Sequence, residues 1–377
     1  MHQSFIAACL LLCTQVAVAA TTQVEPWGRT RDGDLVQRVR FANDRGMRFS
    51  AIDYGATIVA LEVPDRHGIA RNIVLSLPDL AAYEKNQRRY AAVMGRYAGR
   101  IANARFTLDG SEIALTPNAR GVALHGDPDG YDRRLWRRED FSDAASIGAV
   151  FHLRSPDGDQ HFPGTLDVSV TYRLLRQRNE FSIEYTARTD APTVVNLTNH
   201  AYFNLAGAGA TGLATHRFQI MAERYAVTDA KRVPTGALLG VAGTPLDFRH
   251  PAGLQSRLAS TDANDVAILG EPAGYDHSLV FAPSAGRLTL VAQIDETLSG
   301  RRLQIFTTEP SVQFNSGNGF DGSEVGSEGR AYGRHDGFAF ETQHLPDSPN
   351  HAHFPSTELR PGMVFHSLTR FRFDIIK

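Results

Sequence analysis

The stretch LDVSVTYRLLRQRNEFSIEYTAR, residues 166–188, decides the fold class. Leu166, Val168, Val170, Tyr172 and Leu174 alternate with polar residues. After the turn-forming Gln177-Arg178-Asn179 the alternation resumes at Phe181, Ile183 and Tyr185. A period of two with β-branched and aromatic residues predicts a β-hairpin with one buried face. Working outward, similar short runs occur at 217–220, 288–294, 303–307, 311–315, 338–343 and 371–375, separated by segments rich in Gly, Pro, Asp and Asn. The fair helical candidates are short, such as 79–84, where Pro78-Asp79 can start a turn. Many antiparallel strands and few short helices predict an all-β protein, a large sandwich or barrel. With no internal repeat or linker-like composition shift, residues 21–377 read as one domain.

Composition narrows the function. The 39 Lys plus Arg against 41 Asp plus Glu leave a net charge of -2, so no broad basic face is available to track a phosphate backbone, and nucleic acid is excluded as an expected partner. Both cysteines, Cys9 and Cys13, fall inside an apolar run from Phe5 to Ala20 that ends Ala17-Val18-Ala19-Ala20. This predicts a cleaved secretory signal peptide over residues 1–20 and a periplasmic or secreted product. The lipobox-like Ile6-Ala7-Ala8-Cys9 is the rival reading, but four residues before it leave no room for an apolar region. The mature chain would then lack thiols, and no later apolar stretch is long enough to span a membrane.

Two patterns are decoys. Gly317-Asn318-Gly319-Phe320-Asp321-Gly322 fits G-x-G-x-x-G, but no helical periodicity follows it to receive a pyrophosphate. Asn196-Leu197-Thr198 fits a glycosylation sequon, yet lies in an apolar run that reads as buried. More informative are three polar stripes. Alternation opposes Glu341 and Gln343 to Phe338 and Phe340, Gln313 and Asn315 to Val312 and Phe314, and Asn196, Thr198 and His200 to Val195 and Leu197. An ordinary solvated face explains most such stripes. These, however, hold the planar hydrogen-bonding groups that hydroxyl recognition requires, and they predict a carbohydrate cleft.

Seven motifs then occur in order: GRYAGRIANARFTLDG (95–110), LHGDPDGYDRRLW (124–136), VVNLTNHAYFNLAG (194–207), PTGALLGVAGTPLDFR (234–249), GYDHSLVF (274–281), VQFNSGNGFDG (312–322) and FETQHLPDSPNHAHFPSTELRPG (340–362). The set resembles the aldose 1-epimerases, also called galactose mutarotases, across nearly the whole mature chain. The resemblance implies a large antiparallel β-sandwich and no cofactor. It also implies a small monosaccharide substrate, and interconversion of the α and β anomers of aldohexoses such as galactose and glucose. By position, Glu341 resembles the family's general base, His200 its general acid, and His125 a second histidine near the sugar ring oxygen. Arg100, Asp276 and Gln313 resemble its hydroxyl-binding residues. Three departures stand out: Gly99 where many members have Asn, Asn315-Ser316 for a more usual Tyr-Thr, and a variant loop at LHGDPDGYD.

The chemistry independently asks for such a pair. Ring opening removes the O1 proton and delivers one to the ring oxygen, and closure on the other carbonyl face reverses both, so a carboxylate and an imidazole on opposite sides of the acetal carbon suffice. The competing readings are a non-catalytic sugar-binding module, which would not need an acid and a base, and a sugar-phosphate epimerase, which would need added Arg or Lys at the cleft, with Arg133, Arg134 and Arg137 as candidates. His344, His351, His353 and Asp347 could in principle ligate zinc, but lie in a Pro- and Asn-rich loop without ligand-like helical spacing. Trp136, Tyr202 and Phe203 are open to either role, stacking on a sugar or packing in the core.

Overall fold

In the computed structural model, which describes residues 20–85 and 88–376, the strands Leu166–Leu175 and Glu180–Thr189 form the expected hairpin, with Val170 opposite Tyr185 and Tyr172 opposite Ile183. The proposed signal segment and both cysteines lie outside the described residues, except for Ala20. The hairpin is the centre of an eight-stranded sheet, all antiparallel. Its order is Arg137–Ser142, Ser146–Ser155, Leu166–Leu175, Glu180–Thr189, Phe365–Ile375, Arg301–Thr307, Thr289–Glu296 and His216–Ile220.

Two smaller sheets lie against it. One has six strands in the order Tyr202–Phe203, Phe338–Gln343, Ser311–Asn315, Asp276–Phe281, Ala222–Thr228 and Pro234–Gly240; the other has five, running in sequence from Thr21–Arg29 to Ala70–Asn72. Rings from the facing sheets interlock. Phe49 of the five-stranded sheet stands 4.7 Å from Phe181, and Phe338 of the six-stranded sheet 5.0 Å from Phe218, centroid to centroid. One continuous cluster of buried residues, reaching from Val39 to Phe373, fills the space between the layers. This is a large antiparallel β-sandwich, as burial of one face of each strand demands. Among the described residues the α-helices are Leu80–Lys85, Gln255–Leu258 and Ala263–Leu269, and no helix is long and apolar enough to cross a membrane.

The six-stranded sheet obeys the alternation read from the sequence. Phe338, Phe340, Val312 and Phe314 enter the core, and the Thr342 hydroxyl reaches Thr369 of the eight-stranded sheet. Glu341, Gln343, Gln313 and Asn315 therefore emerge on the opposite face. That face is not solvated: Glu341 is 2% exposed and Gln343 1%. The run 195–202 departs from the expectation. It is no continuous strand but touches three partners in turn through Thr193–Val194, Thr198–Asn199 and Tyr202–Phe203. Asn196 and Thr198 spend their side chains on main-chain carbonyls, the former on Ala98 and His344, the latter on Thr342, while His200 lines a cavity.

Candidate active site

Over the outer face of the six-stranded sheet lies a cavity of about 340 Å³. All six residues singled out in the sequence line it: Glu341, His200, His125, Arg100, Asp276 and Gln313. Sheet register accounts for three of them. Gln313 sits directly opposite Glu341, and Asp276 opposite Asn315 on the next strand, so the two carboxylates flank the Gln313 strand. Loops bring the rest. Arg100–Ile101 pairs with Ala123–Leu124, which sets Arg100 opposite Leu124 and next to His125. His200 is fixed through its own peptide, which donates to Ala92 O and accepts from Ala91 N.

The His125 turn explains its glycine. His125 and Gly126 both have left-handed backbone, φ 54° and 84°, and a Cβ on Gly126 would come within 2.3 Å of Gly95 O; only glycine fits there. The Gly99 amide donates to His125 Nδ1 over 3.2 Å. An amide N–H cannot accept, so Nδ1 carries no proton and neutral His125 is protonated on Nε2. Gly99 itself has φ 82°. The backbone at this departure from the family pattern is thus left-handed, which strains a replacement by Asn, whose Cβ would also meet Pro346 at 3.0 Å.

His200 Nε2 lies 3.5 Å from Glu341 Oε1. The pair are neighbours on one wall, not groups on opposite sides as the chemistry alone suggested. That placement suits a substrate whose two reacting oxygens share one carbon. Glu341 Oε2 and His200 Nδ1 are buried without a protein hydrogen-bond partner. Burial, joined by the nearby Asp276 charge, pushes the Glu341 carboxyl up to about 8 against the pull of Arg100 and Arg89. Burial and Arg89 push the His200 imidazole down to about 4. Burial, then Arg89, His200 and Arg100, carry His125 well below its ordinary value. At neutral pH the pair therefore rests as a protonated carboxyl beside a neutral imidazole, one proton between two groups.

Asp276 is the opposite case. Burial pushes its carboxyl up, but Arg100, Arg232 and the hydrogen bonds from Gln313 and Arg232 outweigh that and hold it down at about 2. Gln313 Nε2 donates to Oδ1 over 2.7 Å, and Ser278 Oγ donates in turn to Gln313 Oε1 over 2.6 Å.

Sequence reading missed the further arginines. Arg88, Arg89, Arg120 and Arg232 line the cavity, whereas Arg134 and Arg137 pair with Asp159 and Glu139 away from it. Arg89 is paired with Asp127 two residues beyond His125, Arg232 with Asp276, and Arg88 with Asp321 and Glu324. The charges of Arg88, Arg89 and Arg232 are thus largely spent inside the protein, which leaves the exposed Arg120 as the one of the four without an ion pair among the described residues. Arg89 and Arg232 both have positive φ in loops, where no periodicity marks them. Of the aromatic candidates, Tyr202 lines the cavity with its ring 5.0 Å from His200, while Trp136 and Phe203 belong to the core.

Among the described residues one group could gather round a metal ion: His125, His200 and Glu341, whose ligand atoms lie within 4.8 Å of one another. Ligation through His125 Nε2 would force a proton onto Nδ1, against the Gly99 amide, and ligation through Nδ1 would displace that amide. The donor set thus fits a sugar better than a cation. The other histidine cluster is taken up by protein partners: His344 bonds Glu309 over 2.7 Å, His351 bonds Asp347 with the His353 ring 6.0 Å away, and His353 bonds Gly236 O.

The sequence profile of the family described as aldose 1-epimerase matches residues 37–372. The galactose mutarotase of Rattus norvegicus is 38% identical over 343 residues, 91% of this chain and 95% of that protein. The aldose 1-epimerase of Escherichia coli (strain K12) is 36% identical over 345 residues, 91% of this chain and 96% of that one. Among solved structures, galactose 1-epimerase from Lactobacillus acidophilus NCFM superposes with a TM-score of 0.83 at 25% identity, covering 95% of this chain and all of that one. The chain belongs to the aldose 1-epimerase family and is an isomerase that interconverts the α and β anomers of aldoses.

Proposed function

We propose that Glu341 takes the O1 proton of galactose or glucose while His200 supplies a proton to the ring oxygen, and that the two exchange roles during closure. The observation that carries this is the 3.5 Å contact between two buried groups with otherwise unused polar atoms in one cavity. The pair holds one proton when the sugar arrives. Base and acid action need that proton on His200: Arg89 and Arg100 favour the carboxylate left on Glu341 but oppose the imidazolium, whereas Asp276 favours the imidazolium and opposes the carboxylate. His125, donating through Nε2, steadies the sugar near its ring oxygen. Arg100, Asp276 and Gln313 hold hydroxyls through charge-assisted hydrogen bonds.

Polarimetry on freshly dissolved α-galactose and α-glucose tests the assignment. The wild-type chain should speed equilibration of both, and Glu341→Gln, which keeps the shape but loses the base, should lower kcat by ~10² or more with little change in KM. A Glu341→Gln rate near wild type, corrected for the buffer-catalysed background, would remove Glu341 as the base.

The enzyme is exported, on the reading of residues 1–20 as a signal peptide. Mature protein from its native host should begin near Ala20 or Thr21 and contain no thiol, and its intact mass will show whether it does.

A further inference from the structure

We propose that Gln343 is a specificity-determining residue whose side-chain amide takes a sugar hydroxyl on the side of the ring that faces Gly99 and Pro346. The inference rests on the sugar occupying the cavity as described above. Gln343 lies two residues beyond Glu341 on the same strand, so both side chains leave the same face. It lines the cavity and is 1% exposed, yet neither Oε1 nor Nε2 has a hydrogen-bond partner. A buried primary amide with both ends unused is rare, because either orientation of the group forfeits the bonds it made to water.

The neighbours explain why nothing in the protein satisfies it. Ser311, opposite Gln343 in the ladder, spends its hydroxyl on the Gln343 main-chain carbonyl. Thr342 spends its hydroxyl on Thr369, and Pro346 has no N–H. Gly99 is committed twice to His125: its amide donates to Nδ1 and its carbonyl accepts from the His125 amide. Toward Gln343, Gly99 presents no side chain, and a Cβ there would stand 3.2 Å from Nε2. The glycine therefore puts no side chain against Nε2, and the buried amide meets the cavity wall without a protein partner. An amide offers a donor and an acceptor side by side, which suits a hydroxyl better than an anion or a methyl group. A site built to bond a hydroxyl discriminates strongly against the analogue that lacks it, since its own buried group is then left unpaired.

The experiment is a cycle of enzyme variants against singly deoxygenated galactoses and glucoses, read as kcat/KM by polarimetry. Wild type should lose about tenfold or more on one deoxy sugar. Gln343→Leu should lose a similar factor on the parent sugar and no further activity on that deoxy sugar. Gln343→Met, which keeps the side-chain length and loses both hydrogen-bonding ends, should reproduce the same selective loss, and it serves as the second variant if Gln343→Leu fails to fold. Equal losses across the whole deoxy series in both variants, or undiminished kcat/KM on the parent sugar, would overturn the proposal. Either result leaves Glu341 and His200 untouched, because wild-type turnover of the parent sugar is measured in the same series.

Discussion

Asp276 and Glu341 occupy the same cavity on the same sheet, separated by the one strand that carries Gln313. Both are well buried, the side chains 12% and 3% exposed. They nevertheless end on opposite sides of neutrality, near 2 and near 8. The difference is the company each keeps. Asp276 is bonded by Gln313 and Arg232 with Arg100 at 3.8 Å, so its charge is compensated in place. Glu341 has one oxygen near an imidazole and the other buried without a hydrogen-bond partner, and it feels the Asp276 charge as well. One carboxylate is fixed for holding, the other is left free to exchange a proton; environments that drive two acids apart assign their work.

That contrast can be broken most severely at the titrating end. His200→Asn should lower kcat by ~10²- to 10⁴-fold, and the double variant with Glu341→Gln should be hardly worse than either single one, because the two act as a unit. Strictly multiplicative losses in steady-state polarimetry would split them.

A gentler probe is pH. Since the active form has one proton on the pair, kcat/KM should be flat between about 4 and about 8 and fall on either side, with both limbs belonging to the pair. Asp276→Asn should raise KM about tenfold, through loss of its charge-assisted bonds, and should also move the alkaline limb to lower pH, because Asp276 is one of the charges that keep Glu341 protonated. An unmoved limb would mean that the two carboxylates do not sense each other.

The smallest effect is on stability. The folded state raises Glu341 from its ordinary 4.5 to about 8, so this group's contribution to stability is full below about 4.5 and is lost as pH rises through about 8. The loss is of the order of 5 kcal/mol. Glu341→Gln removes it, and the variant should melt higher than wild type by a margin that widens from pH 5 to pH 8. A margin independent of pH would show that Glu341 is not held protonated.

Much of this was legible because strand parity is rigid. Once Phe338 and Phe340 are placed in the core, Glu341 and Gln343 have only one face left, and the same holds for Gln313 against Phe314. The run 195–202 misled for a physical reason: a buried apolar segment made of short two-residue pairings joined by coil carries the same composition as a buried strand, and its polar residues serve main-chain carbonyls that no local pattern announces. Arg89 and Arg232 were silent since each reaches the site from a single left-handed loop position. The helix Ala263–Leu269 was missed although Asp262 caps it through the Asn264 and Asp265 amides.

Asn196 has a consequence for how the protein can be produced. Its amide nitrogen holds Ala98 and His344, and its oxygen accepts from the His344 amide, so one fully buried side chain staples the residues adjoining Gly99 and Gln343. It also heads an Asn-Leu-Thr acceptor sequence. In a eukaryotic secretory pathway, where glycans are attached to chains that have not yet folded, a sugar tree on this nitrogen would unpin both segments and would have no room beside the cavity floor. Secretion from yeast or animal cells should therefore divide the product into an unglycosylated, folded fraction and a glycosylated fraction retained as misfolded, whereas a bacterial host delivers the first alone.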